Sequence, residues 1–180
     1  MAKKTAQIAD QYAQAILDLA KQEDNLNEVL ADLQALRQVI KDEPNLLVWL
    51  SSHEVDPDVQ DSLIQTLSKD AVSSVQNLVK LLSVNQRFNI MDLVIDRFIE
   101  LYNLDQGIVD VKITTAIDLD DQEKAGLEKV FLAKSGAKKL NSSYLVDTAI
   151  IGGVIMQSSS ILIDGSLRTK IARLQAQLLG

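Results

Sequence analysis

Cysteine is absent from this 180-residue chain, so it can form neither a disulfide nor a thiolate metal site. One histidine, His53, is too few for a histidine cluster, and alone it reads as a polar loop residue. Aromatic residues make up only 4% of the chain, which disfavours a site that stacks bases or sugars. No apolar run approaches the roughly 18 residues a membrane-spanning helix requires. The opening "MAKKTAQIADQYAQAILDLA" lacks the continuous apolar centre of a signal peptide. Asp10, Asp18 and the lack of arginine there also disfavour a mitochondrial presequence. The expectation is a soluble protein that reaches a membrane only through other proteins.

Charge is plentiful but uneven. Residues 1–105 hold nine Lys/Arg against seventeen Asp/Glu, net −8, whereas residues 106–180 hold nine against eight, net +1. The total of −7 argues against nucleic acid as a main partner. An acidic half followed by a near-neutral half fits two domains with different partners.

Up to about Asp105 the apolar spacing is helical. A first helix covers residues 5–22. In a second, Leu26, Val29, Leu30, Leu33, Leu36 and Ile40 recur at threes and fours, with Asn25 and Glu28 placed as a capping box. Pro44 and Pro57, the only prolines, stand where two short helices could begin. Two longer helices follow, near 71–84 and 87–104, and six helices with tight connections predict a bundle.

At Gly107 the period changes to two. Val109, Val111 and Ile113 alternate with Asp110, Lys112 and Thr114, as in a strand with one buried face. Asp120 with Glu123 should cap a helix that Gly136 ends. Residues 138–146 alternate again, "AIIGGVIM" and "ILI" read as two short strands, and a last helix displays Leu167, Ile171, Leu174 and Leu178. The fold class is therefore α+β in two domains: a six-helix bundle over 1–105, then a small α/β domain over 106–180 with a short mixed sheet and a terminal helix.

"IGGVIMQSSSILIDGS" is the one stretch rich enough in glycine to cradle a phosphate. A phosphate loop needs lysine and a hydroxyl directly after its last glycine, yet Gly152 and Gly153 lead into Val154, Ile155 and Met156. The dinucleotide fingerprint is missing too. The pair better suits a bulge or a close backbone approach, and Asp164-Gly165-Ser166 a tight turn that caps the last helix. The remaining alternative is an anion- or nucleotide-binding enzyme that uses this helix start with Arg168 and Lys170. No catalytic set appears elsewhere: no G-x-S-x-G surrounds any serine, and the acidic pairs Asp42-Glu43 and Asp120-Asp121 suit helix starts. No cofactor and no metal are expected.

Two helices carry more apolar surface than one core needs. On the first, apolar residues spread over about 200° of arc, against the little over 100° that suffices for a helix on a core. The fifth helix is nearly as broad. Either both are central and buried on two sides, or they lie side by side and leave an apolar groove for a partner's amphipathic helix.

Taken together, these stretches resemble the delta subunit family of the bacterial and chloroplast F-type ATP synthase, the counterpart of the mitochondrial oligomycin-sensitivity-conferring protein. "IIGGVIMQSSSILIDGSLRTKIARL" is similar to the family's C-terminal signature, whose markers here are Gly152, Gly153, Asp164, Gly165 and Ser166. "QYAQAILDLA", "VQNLVKLLSVNQRFNIMDLVIDRFIELYN" and "TTAIDL" support it in the right order. One departure is visible: many members place proline before the strand leading to the glycines, where this chain has Asp147-Thr148.

The resemblance implies a non-enzymatic stator subunit that joins the catalytic head to the peripheral stalk against rotor torque. It implies an alpha-subunit N-terminal segment held between helices one and five, and b subunits engaged by the C-terminal domain. Carried over by position, the groove candidates are Ala9, Tyr12, Ala13 and Ile16 with Val75, Leu78, Val79 and Leu82. It also implies a peripheral place at the cytoplasmic face of a bacterial cell membrane. A free-standing helical adaptor would explain the bundle but not the C-terminal signature.

Overall fold

The computed structural model describes residues 2–43, 45–51 and 56–179. Pro44 and His53, both given roles above, lie outside the described residues. Two compact units emerge, Met1–Tyr102 and Asn103–Gly180. The division comes three residues before the one expected at 105/106, because the last turn of a helix belongs to the second unit.

The first unit contains α1 (Ala2–Gln22), α2 (Leu26–Asp42), α3 (Asn45–Ser51), α4 (Pro57–Ser68), α5 (Ser73–Val84) and most of α6 (Met91–Gln106). Their inward faces supply a core that includes Leu33, Leu82, Phe88, Met91, Ile95 and Phe98. A 3-10 turn at Phe88–Ile90 leads into α6 and buries Phe88 completely. Two helices end on non-glycine residues in left-handed conformation. Asp24 has φ 54°, with the Asn25 N–H on the Ala20 carbonyl at 3.1 Å; Gln86 has φ 55°, with the Arg87 N–H on the Leu82 carbonyl at 2.8 Å. Both are six-to-one closures that satisfy orphan carbonyls at a helix end.

That first closure overturns the capping box expected at Asn25 and Glu28. With its N–H turned back to Ala20, Asn25 makes no side-chain cap, and its amide donates to the Glu23 carboxylate at 3.0 Å. A cap that spacing could not reveal sits on α5, where the Val72 N–H donates to the carboxylate of Asp32 on α2 at 2.7 Å. A carboxylate beside a helix start also meets the positive end of its dipole.

The second unit is a four-stranded mixed sheet in the order β2-β1-β3-β4. β1 (Ile108–Thr115) and β2 (Lys139–Val146) run parallel and are joined by α7 (Asp121–Ser135). β3 (Val154–Gln157) is antiparallel to β1, with Ile113 opposite Met156, and β4 (Leu162–Asp164) is antiparallel to β3. Val111, Ile113, Phe131 and Met156 form the core between sheet and helix. The expected caps of α7 are present: Asp120 and Glu123 exchange backbone bonds in a capping box, and Gly136 closes the helix at φ 70°. α8 (Leu167–Leu179) ends the chain.

The first expected strand after β2 is shorter than its apolar run. Thr148–Ile150 form a 3-10 turn, because the Asp147 carboxylate accepts the Ala149 N–H at 2.9 Å and Ile151 then takes φ +68°. For a β-branched residue that conformation is an outlier, and it breaks the strand ahead of the glycines.

The glycines are scaffold. Gly153 has φ +81°, and a Cβ there would lie 2.3 Å from the carbonyl oxygen of Gly165. The Gly165 N–H donates to Val154 and the Leu167 N–H to Gly152, each at 2.9 Å. Two backbone segments thus interlock at a spacing no side chain would permit. Gly153→Ala should destabilise the chain by about 2–3 kcal/mol. Gly126→Ala, in mid-α7 with open space at its Cβ, should stabilise it by up to about 1 kcal/mol. Urea denaturation of both variants checks this pair of opposite signs.

Candidate functional site

α1 and α5 pack directly against one another. Of the eight positions singled out on them, Ala9, Ala13, Val79 and Leu82 are wholly buried, and Ile16, Val75 and Leu78 nearly so. Tyr12 alone is half-exposed; its hydroxyl accepts a 3.2 Å hydrogen bond from the Asn85 amide just past the end of α5. Seven of the eight are therefore core residues in the free chain. Alanine at 9 and 13 adds only a methyl group at these buried positions, so neighbouring backbones can come close.

The wide arc of α1 resolves into two bands. The inner one, Ala9, Ala13, Ile16, Leu17 and Ala20, is core. The outer one, Ile8, Tyr12, Ala15 and Leu19, is spaced four, three and four and is half-exposed or exposed. Tyr12 ties this band to the α5 side. On α5 the inner band is Val75, Leu78, Val79 and Leu82, while Leu81 keeps 49% of its surface in solvent and Val84 keeps more. The exposed apolar surface of this helix pair is thus made by the edges of the two arcs, and the middles are consumed in packing. Ile8, Tyr12, Ala15 and Leu19 recur at four, three and four, the spacing that marks the exposed edge of the arc on α1.

The second unit offers an apolar recess open to solvent, between the end of β1, α7 and the glycine turn. Ile117, Leu119, Leu127, Val130 and Ile151 line it, with Gly152 and Gly153 along its floor. Beyond it, Tyr144 on β2 donates its hydroxyl to Glu128 on α7 at 2.8 Å, under the ammonium group of Lys124. Burial, then the hydrogen bond to Glu128, pushes the Tyr144 hydroxyl up to about 12, while the neighbouring Ser142 hydroxyl and donation from Tyr144 hold the Glu128 carboxyl below its ordinary range. These groups brace helix against strand and do not converge on an open pocket.

The start of α8 is already filled. Ser166 is buried and its Oγ accepts the Thr169 N–H at 3.2 Å, capping the helix. Asp164 accepts the Ser166 N–H at 2.9 Å and the Thr169 hydroxyl at 2.7 Å, and the first of these does most to hold its carboxyl below the usual carboxylate range. An incoming anion would meet the Ser166 cap and an ionised carboxylate. The geometry thus speaks against the enzyme alternative built on Arg168 and Lys170. Among the described residues no group of three or more His, Asp or Glu is placed to hold a metal, and no helix is long and apolar enough to cross a membrane.

Comparison with known proteins agrees with surfaces as the functional elements. Residues 8–178 match the family model described as ATP synthase delta (OSCP) subunit. The ATP synthase subunit delta of Leuconostoc mesenteroides is 49% identical over 180 residues, the full length of both chains. That of Ligilactobacillus salivarius is 35% identical over 172 residues, 96% of each. A chain of the Toxoplasma gondii mitochondrial ATP synthase hexamer superposes with a TM-score of 0.66 at 19% identity, covering 96% of this chain and 97% of that one, a likeness of fold.

Val79→Asp places an unpaired charge in the α1–α5 core and should cost about 4 kcal/mol or more, whereas Leu81→Asp should stay within about 0.5 kcal/mol of the parent. Chemical denaturation separates the two. Tyr144 adds a pH dependence. Its folded pKa is raised, so its contribution to stability is complete below the ordinary value of 10.0 and is lost as pH rises towards about 12. A carbon NMR titration should find its midpoint near 12, and Glu128→Gln should lower it.

Proposed function

The chain belongs to the ATP synthase delta (OSCP) subunit family, and from that membership we propose that its two units are the two ends of a mechanical coupling. It is a structural, non-catalytic stator subunit of the synthase. On this reading the six helices before β1 form the bundle that receives the N-terminal segment of an alpha subunit, and the α/β unit engages the b subunits of the peripheral stalk. The protein then sits at the cytoplasmic face of the cell membrane, held there by the complex alone.

The observation that carries the alpha contact is the outward apolar band of Ile8, Tyr12, Ala15 and Leu19 on α1, with exposed Leu81 on the neighbouring α5 and buried core residues behind them. An amphipathic helix laid along that band buries its apolar face without opening the bundle. A few hundred Å² buried at roughly 25 cal/mol per Å² supplies ample gross driving force, of which association costs take a large share. Resistance to torque also asks for a stiff support, and close-packed residues such as Ala13 and Val79 give it. Residues 1–105, at net −8, favour a segment with basic flanks.

Calorimetric titration of the full chain with a synthetic peptide of the same organism's alpha-subunit N-terminus tests this reading. Binding should weaken at least about tenfold in a Tyr12→Asp, Leu81→Asp variant that circular dichroism shows to be folded, and should weaken with added salt. No binding by the parent chain, or equal binding by the folded variant, contradicts the proposed site.

A further inference from the structure

α8 touches the 3-10 turn Thr148–Ile150 of its own unit and leaves most of its length uncovered. From Arg168 to Leu178 every residue except Thr169 is exposed, including Ile171, Leu174 and, at 86%, Leu178. A helix of 13 residues is marginal in water by itself. An apolar stripe so exposed is a stripe awaiting cover.

The pattern of the stripe specifies the cover. Leu167, Ile171, Leu174 and Leu178 are spaced four, three and four, the d-a-d-a seam of a heptad repeat. The seam is narrow and contains no aromatic residue, unlike the broad apolar face of a helix that lies in a lipid surface. Beside it, Arg168 and Gln175 fall at e positions, and Lys170 and Gln177 at g positions. Arg173 adds a third cation, and the helix has no acidic residue at all. Pairing two copies of α8 would gather the cations of both with nothing to offset them.

We propose that α8 is one strand of a short two-stranded coiled coil whose other strand is a partner helix with an apolar heptad seam flanked by Asp or Glu. This deepens the stalk contact proposed above and rests on that reading. The end of the stalk that meets this chain is then an acid-flanked amphipathic helix, selected by Arg168 and Lys170 as e/g charges select coiled-coil partners. The seam also has a firm base. Leu167 lies against Gly152, close enough that a Cβ on that glycine would come within 2.9 Å of it, and Gly152 is locked to α8 by the Leu167 N–H.

The test is an NMR titration of the isotopically labelled full chain with two designed heptad peptides, identical in their leucine seam and carrying either Glu or Lys at every e and g position. The Glu peptide should bind at least about tenfold more tightly than the Lys peptide. Arg168→Glu with Lys170→Glu should reverse that order, and Leu174→Glu with Leu178→Glu should abolish binding of both. Equal affinities, no binding, or α8-dependent sedimentation with phosphatidylserine vesicles in place of peptide binding would overturn the proposal. A parallel titration with the soluble part of the same organism's b subunit separates the two readings. If the b fragment binds the parent chain and the Leu174→Glu, Leu178→Glu variant equally, the coiled coil fails and the stalk contact stands elsewhere on the unit. If the Glu peptide binds through the seam but the b fragment does not bind at all, the coiled coil stands and the stalk reading fails.

Discussion

Everything proposed for the first unit depends on how closely α1 can approach α5. Alanine at 9, 13 and 20 holds the buried side of α1 to single methyl groups, and Val75, Val79 and Leu82 complete the buried side of α5. Side chains of ordinary size at those positions would hold neighbouring helices further away. The middles of both apolar arcs are buried in packing, and their edges come to the surface as an apolar band. The hydrogen bond from Asn85 to Tyr12 spans that band at its edge. Asp32, reaching from α2 to the start of α5, anchors the same helix from the opposite end. Exposed apolar band and core are thus two sides of one helix pair.

The second unit applies a similar economy of bulk to its backbone. Gly153 and Gly165 pass at a distance that excludes any side chain, and the two hydrogen bonds beside them lock the entry of α8 to the turn after β2. Asp164, Ser166 and Thr169 then link up across the helix start. The glycine-rich stretch therefore sets where the last helix leaves the sheet. It also orients a helix whose apolar seam is exposed.

Some of this was legible in the residues and some was not, for definite reasons. The alternation at Val109, Val111 and Ile113 reads as a half-buried strand and is one, and the Asp120–Glu123 box and Gly136 mark the ends of α7 as they stand. These signals are local, so neighbours in sequence decide them. Asn25 failed as a cap because Asp24 adopts a left-handed conformation to close α1, and spacing says nothing of that choice. Ala149 to Ile151 failed as strand because Asp147 turns the chain first. The groove residues were the hardest case. Periodicity reports which side of a helix is apolar but not how many neighbours share that side, so it does not separate the buried middle of an arc from its exposed edge. The family itself was readable because four stretches in order constrain one another more than any single motif can.

The central claim is that a partner helix docks on the outer band while the α1–α5 core beneath stays closed. Amide hydrogen exchange of the full chain, free and saturated with the alpha-subunit peptide, addresses it directly. The account predicts added protection along Ile8 to Leu19 and around Leu81 to Asn85, with exchange at Ala13, Val79 and Leu82 no faster than in the free chain. Faster exchange at those three amides on binding would mean that the helices part to admit the segment, and would contradict the account.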